Sequence, residues 1–187
     1  MKVIFLDTEY SSSSAELAQL AYVLVDGQTR ACKNFFFRVR EMDEGSLRVH
    51  GLTREWLEEN GRDCASARDE VLGDFSGATL VAHNLNSDKK VLEKAFGPLP
   101  NRFGMCTMYR FARVLRLPGG RPYKMPSLRE LMAHYGVEDA AVAARVWADF
   151  ASAAAAHDAR FDAEAVCQCA LAAMARGDIR NLLKGED

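Results

Sequence analysis

Apolar residues fill positions 3–6 without a break (Val3-Ile4-Phe5-Leu6), and two acids one position apart, Asp7 and Glu9, follow at once. An uninterrupted apolar run this short reads as a strand buried on both faces. Residues 17–25 alternate instead, with Leu20, Tyr22 and Leu24 set against Gln19, Ala21 and Val23. Asp26-Gly27 then supplies a turn, and a third strand is expected over 34–39 around Phe35-Phe36-Phe37. Three adjacent strands with short links predict an antiparallel meander.

Beyond residue 50 the period changes to a helical one. Thr53 is placed to cap a helix over 54–60 that Gly61 ends. Val71, Leu72 and Phe75 mark a helix over 67–75, and 79–83 (Thr-Leu-Val-Ala-His) reads as a fourth strand. A helix is expected over 88–96, a short fifth strand over 105–108, and a helix over 109–117 stopped by Pro118-Gly119-Gly120. Ser127-Leu128-Arg129-Glu130 forms a capping box opening a helix to Tyr135. Val142, Val146 and Phe150 recur every four residues in an alanine-rich helix expected over 138–156. A last helix is expected over 162–176, with Gly177 behind it. Strands in front and helices alternating behind predict one α/β domain over residues 1–187, with no internal repeat and no linker.

Composition narrows the class. No apolar run is long enough to cross a membrane or to form the core of a signal peptide, which points to the cytoplasm. The five cysteines are odd in number and contain no CxxC pair, so neither a disulfide framework nor a zinc site is indicated. The net charge of −2 hides an asymmetry. Between Glu93 and Glu130 there is no acid, but there are Lys94, Arg102, Arg110, Arg113, Arg116, Arg121, Lys124 and Arg129. A basic block set against an acidic remainder suits a protein that grips a polyanion beside a cation site. Arg110, Arg113 and Arg116 recur every third residue and fan across one side of their helix, as candidate phosphate contacts.

The candidate chemistry starts at Asp7 and Glu9. Two residues apart on a strand, they point the same way, roughly 6–7 Å apart at about 3.3 Å of rise per residue. Two carboxylates at the end of a buried strand repel one another and lose hydration, and a divalent cation removes both penalties. Oxygen ligands of this kind select Mg²⁺ or Mn²⁺ rather than zinc. The alternative is a strand that ends at Leu6 with both acids solvated. Asp88 opens a helix just past the fourth strand, where the helix dipole favours an anion whether or not it binds a metal. His157 and Asp162 stand five apart at another helix start, and His134 and Asp139 repeat that spacing.

In this order the segments resemble the metal-dependent 3′-to-5′ exonucleases of the DEDD family, histidine subgroup. Asp7-Thr8-Glu9 matches the first motif, and Val81-Ala82-His83-Asn84 with Asp88 the second. His157-Asp158-Ala159-Arg160-Phe161-Asp162 fits the third, H-x-A-x-x-D; behind His134 the alanine position is Gly136, which disfavours the alternative. Val49-His50-Gly51-Leu52-Thr53 resembles the family's HG(I/L)T segment, and Lys124-Met125-Pro126-Ser127-Leu128 the segment before its penultimate helix. The chain departs from the pattern at Ser87, where the family has an aromatic, at Cys106-Thr107, where it often has Asp-Thr, and in a longer stretch between Gly136 and His157.

The resemblance implies an RNase H-like mixed sheet of about five strands, a meander plus parallel strands, with helices packed on it. It implies that Asp7, Glu9, Asp88 and Asp162 hold two Mg²⁺ or Mn²⁺ ions, and that His157 acts as general base. An imidazole, with an ordinary pKa of about 6.5, suits that task. Thr8, His50, Thr53, His83 and Asn84, with Arg110 and Arg113, are expected on the substrate side. The implied partner is the 3′ end of single-stranded nucleic acid, DNA before RNA, cleaved to 5′-mononucleotides; no polymerase or repair partner can be named. The alternatives are an exoribonuclease of the same fold and a binding module without activity.

Overall fold

The strand expected at 3–6 extends over Lys2–Ser11 (β1) and lies at the middle of the sheet. The computed structural model describes residues 1–152, 154 and 157–184. β1 pairs antiparallel with β2 (Glu16–Asp26), and β2 with β3 (Thr29–Phe36). On its other side β1 pairs parallel with β4 (Thr79–Ala82), and β4 with β5 (Phe103–Cys106), giving the order β3-β2-β1-β4-β5. This is the mixed five-stranded α/β sheet anticipated above.

The boundaries move for local reasons. β3 begins at Thr29 rather than 34, because the turn at Asp26-Gly27 leads straight into pairing with β2. It stops short of 39 because Phe37 turns to a single parallel bridge with Arg62. β5 lies two residues earlier than expected, since Cys106 is its last pairing position opposite Ala82 and Thr107 already starts a helix.

The helices are α1 (Glu44–His50), α2 (Arg54–Asn60), α3 (Cys64–Phe75), α4 (Leu85–Phe96), α5 (Thr107–Leu115), α6 (Leu128–Tyr135), α7 (Asp139–Phe150) and α8 (Ala159–Arg176). Thr53 caps α2 and Ser127 with Glu130 closes the capping box of α6, both as read. α3, α4, α5 and α8 start two or three residues early, because a first turn need not show the apolar period. α1 was not foreseen: Leu47 and Val49 are exposed, so the segment has no buried stripe to announce it. It is held by its cap, Asp43 accepting from the Ser46 amide at 2.9 Å. α7 ends at Phe150, where Ala151 takes left-handed backbone (φ 51°); positions 153, 155 and 156 of the helix expected there lie outside the described residues.

β1 is covered on both faces. Ile4 and Leu6 pack with Leu20, Tyr22 and Leu80 against α3 and α4. Val3 and Phe5 pack with Val23 and Val81 against α6 and α8. α8 lies along β1 and β2, so its N-terminus is delivered to the end of β1. A polar knot fixes that placement: Arg30 on β3 pairs with Asp149 of α7 at 2.8 Å and with buried Glu164 of α8. All five cysteines are free, Cys167 and Cys169 being buried. No helix among the described residues is long and apolar enough to cross a membrane.

The segment carrying α1 and α2 is docked through Gly61. A Cβ there would lie 2.5 Å from the Leu57 carbonyl oxygen and 2.7 Å from the Phe37 backbone carbon. Gly61→Ala is therefore expected to cost about 1–3 kcal/mol, as overpacking does. Thermal denaturation would show this as a drop of several degrees; an unchanged midpoint would mean that the close approach is absent in solution.

Candidate active site

Strand alternation decides which acids meet. Asp7 and Glu9 share the α8 face of β1 with Val3 and Phe5, while Thr8 faces α4 with Ile4 and Leu6. Asp162, in the first turn of α8, completes the near group: Asp7, Glu9 and Asp162 each offer a carboxylate oxygen, all within 4.8 Å of one another. Asp88 arrives from the first turn of α4, is buried, and accepts a hydrogen bond from the Thr8 hydroxyl at 2.8 Å. Thus four acids from three remote segments collect at the end of the central strand, three in close reach and Asp88 beside them. Asp139, the rival to Asp162, is instead paired with Arg129 at 2.7 Å, and His134 packs edge-on against Tyr135.

The electrostatics are severe. Two ionised carboxylates 4.8 Å apart repel by roughly 3 kcal/mol at an effective dielectric of about 20. Burial, then the charges of Asp88, Asp162 and Glu9, hold the Asp7 carboxyl well above the usual range. Burial with Asp162, Asp158 and Asp88 nearby pushes Glu9 up to about 8. Burial also raises Asp88 to about 7, against hydrogen bonds from Thr8 and its own amide that favour the charged form. Asp162 rises to about 6, burial outweighing the His157 amide that donates to it and the positive charge of Arg129. Only oxygen donors are present, and each is driven toward holding a proton. Such a set fits a hard divalent cation, which would replace those protons.

His157 lies on the turn before α8 with left-handed backbone (φ 64°) and an exposed side chain, within electrostatic reach of Asp162. Asn84, also left-handed (φ 68°) and exposed, turns the chain from β4 directly into α4. Three residues expected at substrate are otherwise engaged. Thr8 is buried and commits its hydroxyl to Asp88. Thr53 caps α2, accepting from the Trp56 amide at 3.1 Å. His83 donates from Nε2 to the Pro126 carbonyl at 3.0 Å and accepts at Nδ1 from Thr107 at 2.9 Å, so it ties β4 to the starts of α5 and α6. His50 sits beside Glu9 on the rim of a cavity of about 280 Å³ with Tyr10, Ser12, Ser46 and Val49. Arg110 and Arg113 are exposed on α5 and line a cavity that none of the four acids borders.

Several residues of the site were not singled out by the sequence. Gln19, buried on β2 opposite Glu9, donates to Asp158 at 3.0 Å and accepts from the Ala159 amide at 3.3 Å. It thereby fixes the start of α8, and with it Asp162, against β1. Asp158 caps α8 and is gripped by Arg160. Ser87, the departure from the family pattern, meets the Tyr10 hydroxyl at 2.9 Å. A buried glutamine within an alternating strand was the available signal for the first. The Ser87 contact had none.

No family model and no curated protein matches the chain. Solved structures do. Exonuclease I from Methylocaldum szegediense superposes with a TM-score of 0.67 at 17% identity, over 94% of this chain and 40% of that one. The cell-death related nuclease 4 (CRN-4) gives 0.65 at 12%, over 94% and 64%. A 3′-exonuclease described in 3′-end specific recognition of histone mRNA stem-loop gives 0.51 at 10%, over 94% and 64%. The chain thus spans two fifths to under two thirds of the length of these proteins. It shares with them the DnaQ-like, RNase H-like exonuclease fold.

Carboxyls raised in the folded state bind more protons than in the unfolded chain, so they favour folding below about pH 4 and lose that contribution as pH rises through their folded values. Half-buried His50 and His83, whose pKa values burial lowers, act oppositely but only below about pH 6.5. In EDTA the melting temperature is therefore expected to fall from pH 7 to pH 8, and Asp7→Asn to raise it and flatten the fall. A wild-type protein whose stability rises over that interval would show that the carboxylates are not clustered.

Proposed function

We propose that the chain is a metal-dependent 3′-to-5′ exonuclease that trims the 3′ end of single-stranded nucleic acid, DNA before RNA, to 5′-mononucleotides. The observation that carries this reading is the convergence of Asp7, Glu9 and Asp162 within 4.8 Å, with Asp88 adjoining. The shared fold supports it.

These four acids would hold two Mg²⁺ or Mn²⁺ ions. Bound there, such ions supply Lewis acidity toward the scissile phosphate and lower the pKa of water. The chain's own residues do the rest. His157, exposed at the mouth of the site, takes the proton from the attacking water at an imidazole nitrogen. Its turn conformation leaves the ring free while its amide holds Asp162 in place. Gln19 and Asp158 fix the start of α8, so the base and the acid that it serves move together. The cavity beside Glu9, walled by His50 and Val49, is placed for the terminal nucleotide, with Glu9 near its 3′-hydroxyl. Val49, half-exposed on α1, offers an apolar surface for the base. Asn84 faces solvent at the start of α4, three residues before the helix's first-turn Ser87 and four before Asp88, and is available to the sugar or phosphate.

Degradation of matched 3′-tailed DNA and RNA strands with Mg²⁺, Mn²⁺ or EDTA tests this. Asp7→Ala is expected to abolish cation-dependent trimming while the circular dichroism stays native, and His157→Ala to slow it by roughly 10²–10⁴-fold. Trimming undiminished by Asp7→Ala refutes the reading; loss on His134→Ala in place of His157→Ala moves the base.

A further inference from the structure

The basic block has no role in the reading above, and one part of it builds a cavity. About 440 Å³ in volume, this cavity lies between the edge strand β5, helix α5 and the segment 121–125. Its walls include Tyr109, Arg110, Arg113, Tyr123 and Met125, and no carboxylate is among its described lining residues. Tyr109 is 50% exposed and Met125 41%, a large apolar outlay for a surface unless something covers it.

The state of the cations separates this wall from the rest of the block. Lys124 is paired with Glu130 at 2.6 Å and Arg129 with Asp139 at 2.7 Å. Arg110 and Arg113 are exposed, and among the described residues neither has an acidic partner. Two open guanidiniums and two tyrosine rings lining one cavity, with no acid among its described lining residues, match one chemistry. Planar bases stack on the rings, and the phosphates that join them bridge to the arginines. The rings can be reached only by unstacked bases, which a duplex does not offer.

The cavity is also joined to the acid group. Segment 121–125 leads into Pro126, whose carbonyl binds His83 at the end of β4, and on to Arg129, whose charge acts on Asp162. In the other direction a second hollow of about 230 Å³ shares Arg110 and runs along β5 to Phe103, over which Arg180 lies at 5.8 Å. A strand whose 3′ end is at Glu9 and that leaves over α5 would meet an aromatic and cationic surface with no acid among its described lining residues.

We propose that this cavity is a separate subsite for single-stranded nucleic acid, binding nucleotides upstream of the one being removed, with Tyr109 and Tyr123 stacking bases and Arg110 and Arg113 holding phosphates. It deepens the exonuclease reading, on which it rests for the direction of the strand.

Fluorescence anisotropy in EDTA, where nothing is cleaved, tests it with labelled strands from two to twelve nucleotides. Wild-type affinity is expected to rise with length, and the Arg110→Ala/Arg113→Ala double variant and Tyr109→Ala to lose roughly tenfold of that gain. Tyr109→Phe is expected to retain it. Removing two phosphate contacts should also flatten the slope of log affinity against log salt by about 1.4. Length-independent binding by the wild type, an unchanged slope in the double variant, or a duplex or an acidic peptide bound as tightly as the twelve-nucleotide strand would each overturn the subsite. Hydrolysis of the p-nitrophenyl ester of thymidine 5′-monophosphate by the wild type with Mn²⁺ tests the exonuclease reading separately, because that molecule carries a single nucleotide and none upstream for the subsite to bind. Its failure would remove the activity and leave the anisotropy to decide the subsite.

Discussion

Repulsion among carboxylates at the end of β1 is the constraint around which the molecule is arranged. Each close pair costs roughly 3 kcal/mol when both members are ionised, against a total stability of about 5–15 kcal/mol for an ordinary domain. Three such acids with a fourth beside them cannot all stay charged in an empty site, and their raised pKa values say so. A fold that keeps this arrangement pays for it elsewhere, and divalent cations bound as proposed would relieve it.

The supports are visible and each acts on position. β1 lies between two strands and beneath helices on both faces, so its end cannot shift to separate Asp7 from Glu9. Thr8 turns the opposite face of the same strand into a donor for Asp88. Gln19 and Asp158 hold the first turn of α8, where the positive end of the helix dipole offsets part of the Asp162 charge. The Arg30 pairs with Asp149 and Glu164 tie α7 and α8 to β3. Left-handed backbone at Asn84 and His157, unusual for residues other than glycine, occurs where the chain must turn sharply into the two helices that carry acids.

What the sequence disclosed follows from which interactions are local. The buried strand, its paired acids, the capping box at Ser127 and the helix of Val142 and Val146 are written in spacing, and all are present. The acid cluster was legible because alternation on one strand forces Asp7 and Glu9 together, and because a motif in fixed order supplied Asp88 and Asp162. α1 escaped because it packs through a serine and aspartate cap instead of an apolar stripe. Thr8, Thr53 and His83, expected at substrate from their motifs, each bond a group of the protein as well, which motif membership does not disclose. The partners of Thr8 and His83 lie 80 and 24 residues away, beyond what spacing encodes, whereas the Thr53 cap is local. Gln19, which reaches 139 residues along the chain to Asp158, is the extreme case.

The most direct measurement of the shared-cation claim is calorimetric titration of the protein with Mn²⁺ near pH 7.5, repeated in buffers of different ionisation enthalpy. Glu9, with a folded value of about 8, is largely protonated at that pH, and burial with the neighbouring acids raises Asp7 well above the usual carboxyl range. Binding should therefore release protons, so the observed heat changes with the buffer, and Asp162→Asn should weaken the binding. Mn²⁺ uptake with no proton release and no response to Asp162→Asn would mean that the four acids do not share a cation, and the hydrolytic centre would have to be abandoned.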